Sequence, residues 1–430
     1  MPAANPSNPS NVPPNDTQRT IEAVYRIEQP RLIAGLARML RDVSLAEEFA
    51  QDALLAALAE WPASGIPARP AAWLMATAKR RALDRIRHDA MRARKQEEIV
   101  RAMDAAEDGG FGAVEAAIDD EIGDELLALI FTACHPILSP DARAALTLRL
   151  IGGLTVPEIA RAFLSAEATI AQRIVRAKKT IAAAGLDFEV PRGAARAARL
   201  AAVLEVVYLI FNEGYAATAG DDLVRPGLCA DAQRLGRILA DLAPEEPEVH
   251  GLLALMEIQA SRLRARTAPD GSVVPLPEQH RGMWDRLLIR RGLAALARAE
   301  ALGGADGIYA LQASLAACHA RAAHADETDW RQIAALYDRL LVRLPSPIVA
   351  LNRAIAIGMA FGPEVGLVVL EALADEPILA GYAPLPAARG DMLARSGRPE
   401  EARTAFEQAA SLTRNAAEQR HLLARAAACA

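Results

Sequence analysis

The chain has 430 residues, of which 52% are apolar and 24% charged, and a net charge of −6. That length holds two to four domains at roughly 100–200 residues each. The acidic balance excludes a protein that coats nucleic acid by bulk charge, so basic patches must be sought segment by segment.

The first 20 residues are rich in Pro, Asn and Ser and lack the basic flank and apolar core of a signal peptide. They read as a disordered N-terminal arm. Residues 21–101 have a helical period, with one helix near 31–41. A second runs over 45–61, where Leu45, Phe49, Ala53, Leu54, Ala57, Leu58 and Trp61 recur at spacings of three and four. Its polar face carries Glu48, Gln51, Asp52 and Leu55, one stripe open to a partner helix or simply to solvent.

Pro62, Gly65, Pro67 and Pro70 mark a loop, and Pro70 suits the first turn of a helix over about 71–87. Residues 69–95 hold nine Lys or Arg and two Asp, including Arg69, Lys79, Arg80, Arg81 and Arg85. With Trp73 they can supply the charge and stacking that an unpaired DNA strand needs. The plainer alternative is a charged surface helix with Trp73 in the core. Residues 102–125 carry nine acids and no base, which reads as a flexible acidic linker.

A compact helical unit follows over 126–186. Within it, Thr155-Val-Pro-Glu158 is a capping box. Ile159, Ala160 and Phe163 face inward on one short helix, and Ile170 and Ile174 on the next. The second helix turns Glu167, Thr169, Gln172, Arg173 and Arg176 outward, followed by Lys178 and Lys179. This is a helix-turn-helix pattern, in which Arg and Gln read base edges while Lys and Arg hold phosphates. An ordinary helical hairpin with a solvated basic face has the same pattern.

From 190 to 430 the chain reads as helical, apart from a surface loop at 267–280 with a tight turn at Asp270-Gly271. Gly390, Leu393, Gly397, Ala402, Phe406 and Ala409 fit a tetratricopeptide-like (TPR-like) helix pair, and residues 348–373 a degenerate one. Aromatics make up only 4% of the chain, and Ala, Leu and Arg dominate, so the expected fold is all-α.

Cys134, Cys229, Cys318 and Cys429 are far apart with no CxxC pair, which argues against a disulfide framework or zinc site and fits a reducing cytosol. Glu205 interrupts one apolar stretch, and Gly358, Gly362, Pro363 and Glu364 another, so neither spans a bilayer. No phosphate loop, HExxH or GxSxG is present and the seven histidines are scattered. No enzyme, metal or cofactor is expected.

Taken in order, these pieces resemble the sigma-70 family, in particular its extracytoplasmic-function (ECF) group, which has only regions two and four. Leu45-Ala-Glu-Glu-Phe-Ala-Gln-Asp-Ala-Leu-Leu55 is similar to region 2.2, which implies that Glu48, Gln51, Asp52 and Leu55 dock on core RNA polymerase. Residues 70–87 resemble the segment that opens and reads the −10 element, which implies that role for Arg69, Trp73, Lys79, Arg80, Arg81 and Arg85. Residues 154–179 resemble region 4.2, which reads −35 promoter DNA. There Leu164 stands where the turn often has Gly, and Ala166 occupies the usual cap slot.

Tyr208-Leu-Ile-Phe-Asn-Glu-Gly-Tyr215, Gly251-Leu-Leu-Ala-Leu-Met256, Thr328-Asp-Trp330 and Ser346-Pro-Ile-Val-Ala-Leu-Asn-Arg-Ala354 resemble the TPR-like extension of one ECF subgroup. That resemblance implies regulation or complex formation by residues 190–430, with a small DGPF/YCII-type protein as a partner and no membrane role. A stand-alone helix-turn-helix regulator with a helical sensor, or a TPR-type scaffold without a DNA role, are the competing readings.

Overall fold

The Asp42 carboxylate accepts hydrogen bonds from the backbone N–H groups of Ser44 (2.7 Å) and Leu45 (3.1 Å). This cap starts the second of three long helices: α1 (Asp16–Leu40), α2 (Val43–Ser64) and α3 (Pro70–Gln96). The computed structural model describes residues 16–96, 118–163, 165–186, 188–216, 224–269, 271–413 and 415–429. Most of the N-terminal arm, residues 102–117 of the acidic segment, Leu164 and Asp270 lie outside the described residues.

The chain divides into two compact units, Met1–Ile159 with Glu167–Val203, and Ala160–Ala166 with Leu204–Ala430. In the first, α1 packs on α2 and α3. Ile21, Leu32, Ile33, Leu36, Phe49, Trp61 and Leu74 are buried there, each such side chain contributing about 1.5–3 kcal/mol of transfer free energy. Helix α1 begins well before its sequence-predicted start, and α2 and α3 extend beyond both of theirs. Pro30 sits inside α1, and Pro62 lies in the last turn of α2 rather than in the following loop. Gly65, at φ 82°, ends α2 by donating its N–H to the Trp61 carbonyl.

The same unit holds α4 (Ile118–Ala133), α5 (Pro140–Leu150) and α7 (Glu167–Ala183), with the start of α6 (Val156–Ala162). Helix α4 begins inside the segment read as an acidic linker. Its acids lie in the opening turns, where negative charge favours a helix. Ser139 caps α5, and Pro140 takes its first position.

The second unit contains the end of α8 (Gly193–Tyr215), then α9 (Pro226–Leu242), α10 (Pro247–Ala260), α11 (Arg286–Ala301), α12 (Ile308–Arg321), α13 (Trp330–Arg343) and α14 (Pro347–Phe361). The last four are α15 (Pro363–Glu371), α16 (Pro384–Arg395), α17 (Pro399–Leu412) and α18 (Ala416–Ala427). Sequential helices pack on one another along the unit. A Cβ on Gly390 would lie 2.8 Å from the Phe406 ring, so α16 and α17 approach closely only because that position is bare.

The segment 267–280 is less superficial than its composition suggests. Thr267 and Val273 form an isolated antiparallel bridge, and Gln279 is buried. Among the described residues there is no strand, and the fold is all-α.

Candidate nucleic-acid interface

Helix α2 buries Ala46, Phe49, Ala50, Ala53, Ala57 and Trp61, which turns the opposite stripe outward. Glu48, Gln51 and Leu55 are exposed and Asp52 is half-buried. Leu55 is 62% exposed, an apolar side chain left in water within a polar stripe. Leu83 and Ile86 on α3 are exposed as well. They escaped the sequence reading, although their i, i+3 spacing on the basic helix was the available signal.

The basic residues before and along α3 divide into two groups. Arg69, Lys79, Arg80 and Arg85 are exposed, as a strand-binding face requires. Arg81 is half-buried and donates from Nη1 to the Asp52 carbonyl at 2.8 Å, with its guanidinium 3.9 Å from the Asp52 carboxylate. Two residues assigned separate contacts are therefore tied to each other. Trp73 is half-buried, with its ring edge-on to Trp61 at 5.2 Å between centroids. Trp61 is 1% exposed, so the pair anchors α3 on α2 and fixes the direction of the basic face.

The capping box forms as its spacing predicts. Glu158 Oε2 accepts from the Thr155 N–H at 2.7 Å, and the Glu158 N–H donates back to the Thr155 hydroxyl at 3.4 Å. On α7, Ile170, Ile174, Ala177 and Ile181 form the buried stripe. Ile159 and Ala160 of α6 are buried and Phe163 is half-buried. Glu167, Thr169, Gln172, Arg176 and Lys179 are exposed on α7. Arg173 is partly covered and pairs with Asp141 at 3.3 Å. Asp141 is itself 68% exposed, so the pair is a surface one and holds Arg173 weakly.

Lys178 corrects the sequence reading. The helical period puts it on the outward face with Lys179, yet its side chain is only 14% exposed and its ammonium group is bonded to Glu47. Glu47 is 6% exposed and also accepts from Arg149 Nε at 2.6 Å. Arg149 Nη1 in turn holds the Leu154 carbonyl at 3.0 Å, next to the capping box. The Tyr25 hydroxyl lies buried with no hydrogen-bond partner among the described residues, and burial first, then the Glu47 charge, raises its pKa. A single signal for Glu47 existed in the sequence. It occupies an apolar slot of α2, between Val43 and Ala50, where a charge demands a partner.

Residues 24–92 match sigma-70 region 2, which spans α1 to α3, and residues 128–181 match sigma-70 region 4, which spans α4 to α7. The chain is a sigma-70 family sigma factor. Residues 199–300 of the sigma factor match a family of unknown function, DUF6596. The sigma factor is 42% identical over 395 residues to the uncharacterized protein R00370 of Rhizobium meliloti (strain 1021), a match covering 92% of each chain. No solved structure matches it.

Regions 2 and 4 give the sigma factor a role in promoter recognition at transcription initiation, with RNA polymerase and promoter DNA as partners. Among its described residues no helix is long and apolar enough to cross a membrane.

Proposed function

We propose that the chain is an ECF-group sigma factor that docks on core RNA polymerase through Glu48, Gln51, Asp52 and Leu55. Arg69, Lys79, Arg80 and Arg85 then engage the −10 strand, and Glu167, Thr169, Gln172, Arg173, Arg176 and Lys179 the −35 duplex. The observation that carries this reading is the pairing of two exposed faces on one rigid hairpin. Helix α2 offers an acidic stripe with a bare leucine, and α3, locked to it by the two tryptophans, offers exposed cations. An interface needs an apolar anchor with a polar rim, and a strand-binding surface needs aligned positive charge.

Binding free energy opens the DNA in this scheme, and tethering makes the second DNA contact intramolecular. The extension over 190–430 acts on regulation or complex formation. Neither the family matches nor the structure supports the DGPF/YCII-type partner implied by the subgroup resemblance.

The test is run-off transcription with purified core polymerase, this protein and a pool of genomic promoters. Transcripts that depend on the added protein support the reading. Glu48→Lys with Leu55→Asp should abolish them by blocking core capture. Arg173→Glu with Arg176→Glu should abolish them while core capture persists. Asp52→Lys is a poorer probe, because it also sets a cation against Arg81. Transcripts unchanged in both double variants would remove these faces from the mechanism.

A further inference from the structure

Glu47 joins parts of the chain that are distant in sequence. It sits on α2, 102 residues from Arg149 and 131 from Lys178. Arg149 Nε and Nη2 both lie 2.6 Å from Glu47 Oε1, and Lys178 bonds Oε2, so each carboxylate oxygen has its own cation. The side chains are 8%, 17% and 14% exposed, in the order Glu47, Arg149, Lys178. Gln51, from the stripe assigned to polymerase, also donates to Glu47 at 3.4 Å.

A cleft of about 180 Å³ lies between the α1–α2 turn and the end of α7, lined by Arg41, Asp42, Val43, Lys178, Ile181 and Leu186. Arg41 holds φ at 53° there, alone among described non-glycine residues in that region of backbone space. The Glu47–Lys178 ion pair thus ties α7 to α2 at the edge of this cleft.

Lys178 cannot meet a DNA phosphate while its ammonium group is buried on Glu47. We propose that Glu47 is an intramolecular latch and that a promoter phosphate and the Glu47 carboxylate compete for Lys178, so that DNA capture by region 4 and release of α7 from α2 are one coupled event. This inference rests on the reading of α7 as the −35 helix. Coupling of this kind is reciprocal: the factor by which the latch weakens DNA binding is the factor by which DNA weakens the latch. Removing Glu47 also leaves Arg149 and Lys178 as two poorly solvated like charges, which drives the seam apart.

The experiment uses the full chain with dyes on cysteines introduced at the exposed positions Ser64 and Ala184, in a Cys429→Ser background, since the other three cysteines are buried. Energy transfer reports the seam, and fluorescence anisotropy on a short mixed-sequence DNA duplex at low salt reports phosphate binding. Glu47→Gln should lower the transfer and tighten DNA binding by about tenfold, within the usual range of linked sites. Lys178→Gln should lower the transfer as much yet gain no affinity, because it removes the contested cation. Glu60→Gln, the same charge change at an exposed position of α2, should alter neither signal.

Unchanged transfer in Glu47→Gln, or a gain in affinity equal to that of Glu60→Gln, would overturn the latch. Circular dichroism confirms that each variant is folded. Because neither signal involves polymerase, failure of the sigma reading shows separately, as absent core capture by every variant.

Discussion

Glu47 and Glu257 are the same device put to opposite ends. Each is a carboxylate buried between two cations. Glu257, on α10, is 1% exposed and meets Arg237 of α9 at 3.1 Å and Arg291 of α11 at 3.2 Å. Those arginines are 36% and 45% exposed, so they neutralise the acid while their own outer edges remain in water. Consecutive helices of one unit are bound together, and nothing there needs to part. At Glu47 all three groups are dry, and the helices that meet belong to regions 2 and 4, whose proposed targets lie at separate promoter elements. The lesson is that a buried ion triad means little by itself. Which partners keep their solvent, and whether they must separate, decides between a rivet and a latch.

The largest test of that contrast removes the cations instead of the acid. Arg237→Met with Arg291→Met should strand the Glu257 carboxylate in the interior and cost about 3–5 kcal/mol, read as a lower urea midpoint for the second unit. Glu257→Gln should cost clearly less, because its arginines can turn outward to water. Equal losses in the two would show that the arginines hold the helices by packing rather than by charge. At Glu47 the asymmetry reverses: loss of the acid leaves two dry cations, and the expected response is opening of the seam with little change in the unfolding midpoint.

Acid should also weaken the second unit. His319, in α12, has its pKa lowered to about 4 by burial first, then by Arg262 and Arg281. Its ring meets Trp330 edge-on at 5.2 Å, and Arg281 donates to the His319 carbonyl. Between pH 6.5 and the native value the unfolded chain holds the proton and the folded chain does not. Stability therefore rises with pH across that window and is lost as pH falls through it, by on the order of 3 kcal/mol. Urea midpoints at pH 7 and pH 4.5 measure this. His319→Gln should flatten most of the slope, and an unchanged slope would place the titration elsewhere.

The legible parts of this molecule share one property: their partners are close in sequence. The capping box at Thr155 and Glu158, the buried Ile170–Ile174 spacing and the Gly390–Phe406 seam are encoded within one or two helices, and all three are present. The outward stripe of α2 followed from the same period. Lys178 was misplaced because its neighbours Arg176 and Lys179 are exposed, and only Glu47, more than a hundred residues earlier, draws it in. The cage of Arg262 and Arg281 over the Trp284 ring, at 5.9 and 4.4 Å, was invisible for another reason: it lies in the irregular stretch between α10 and α11, where no helical period points to it. Periodicity reports which face is apolar. It does not report which distant charge closes on it.

The smallest predicted effect defines how specific the latch is. A second ion pair ties region 2 to the helix that opens the region 4 part of the chain: Arg38 of α1 lies 3.2 Å from Glu125 of α4. Arg38 is 55% exposed, so water screens the attraction and the side chain keeps its hydration when the pair breaks. Arg38→Ala should therefore cost less than about 1 kcal/mol and leave energy transfer between positions 64 and 184 unchanged. If it opened the seam as far as Glu47→Gln does, the two regions would be held by diffuse charge, and raising salt would open them smoothly. A sharp difference between the two variants, persisting at salt levels that screen surface pairs, is what a buried carboxylate gripping two dry cations requires.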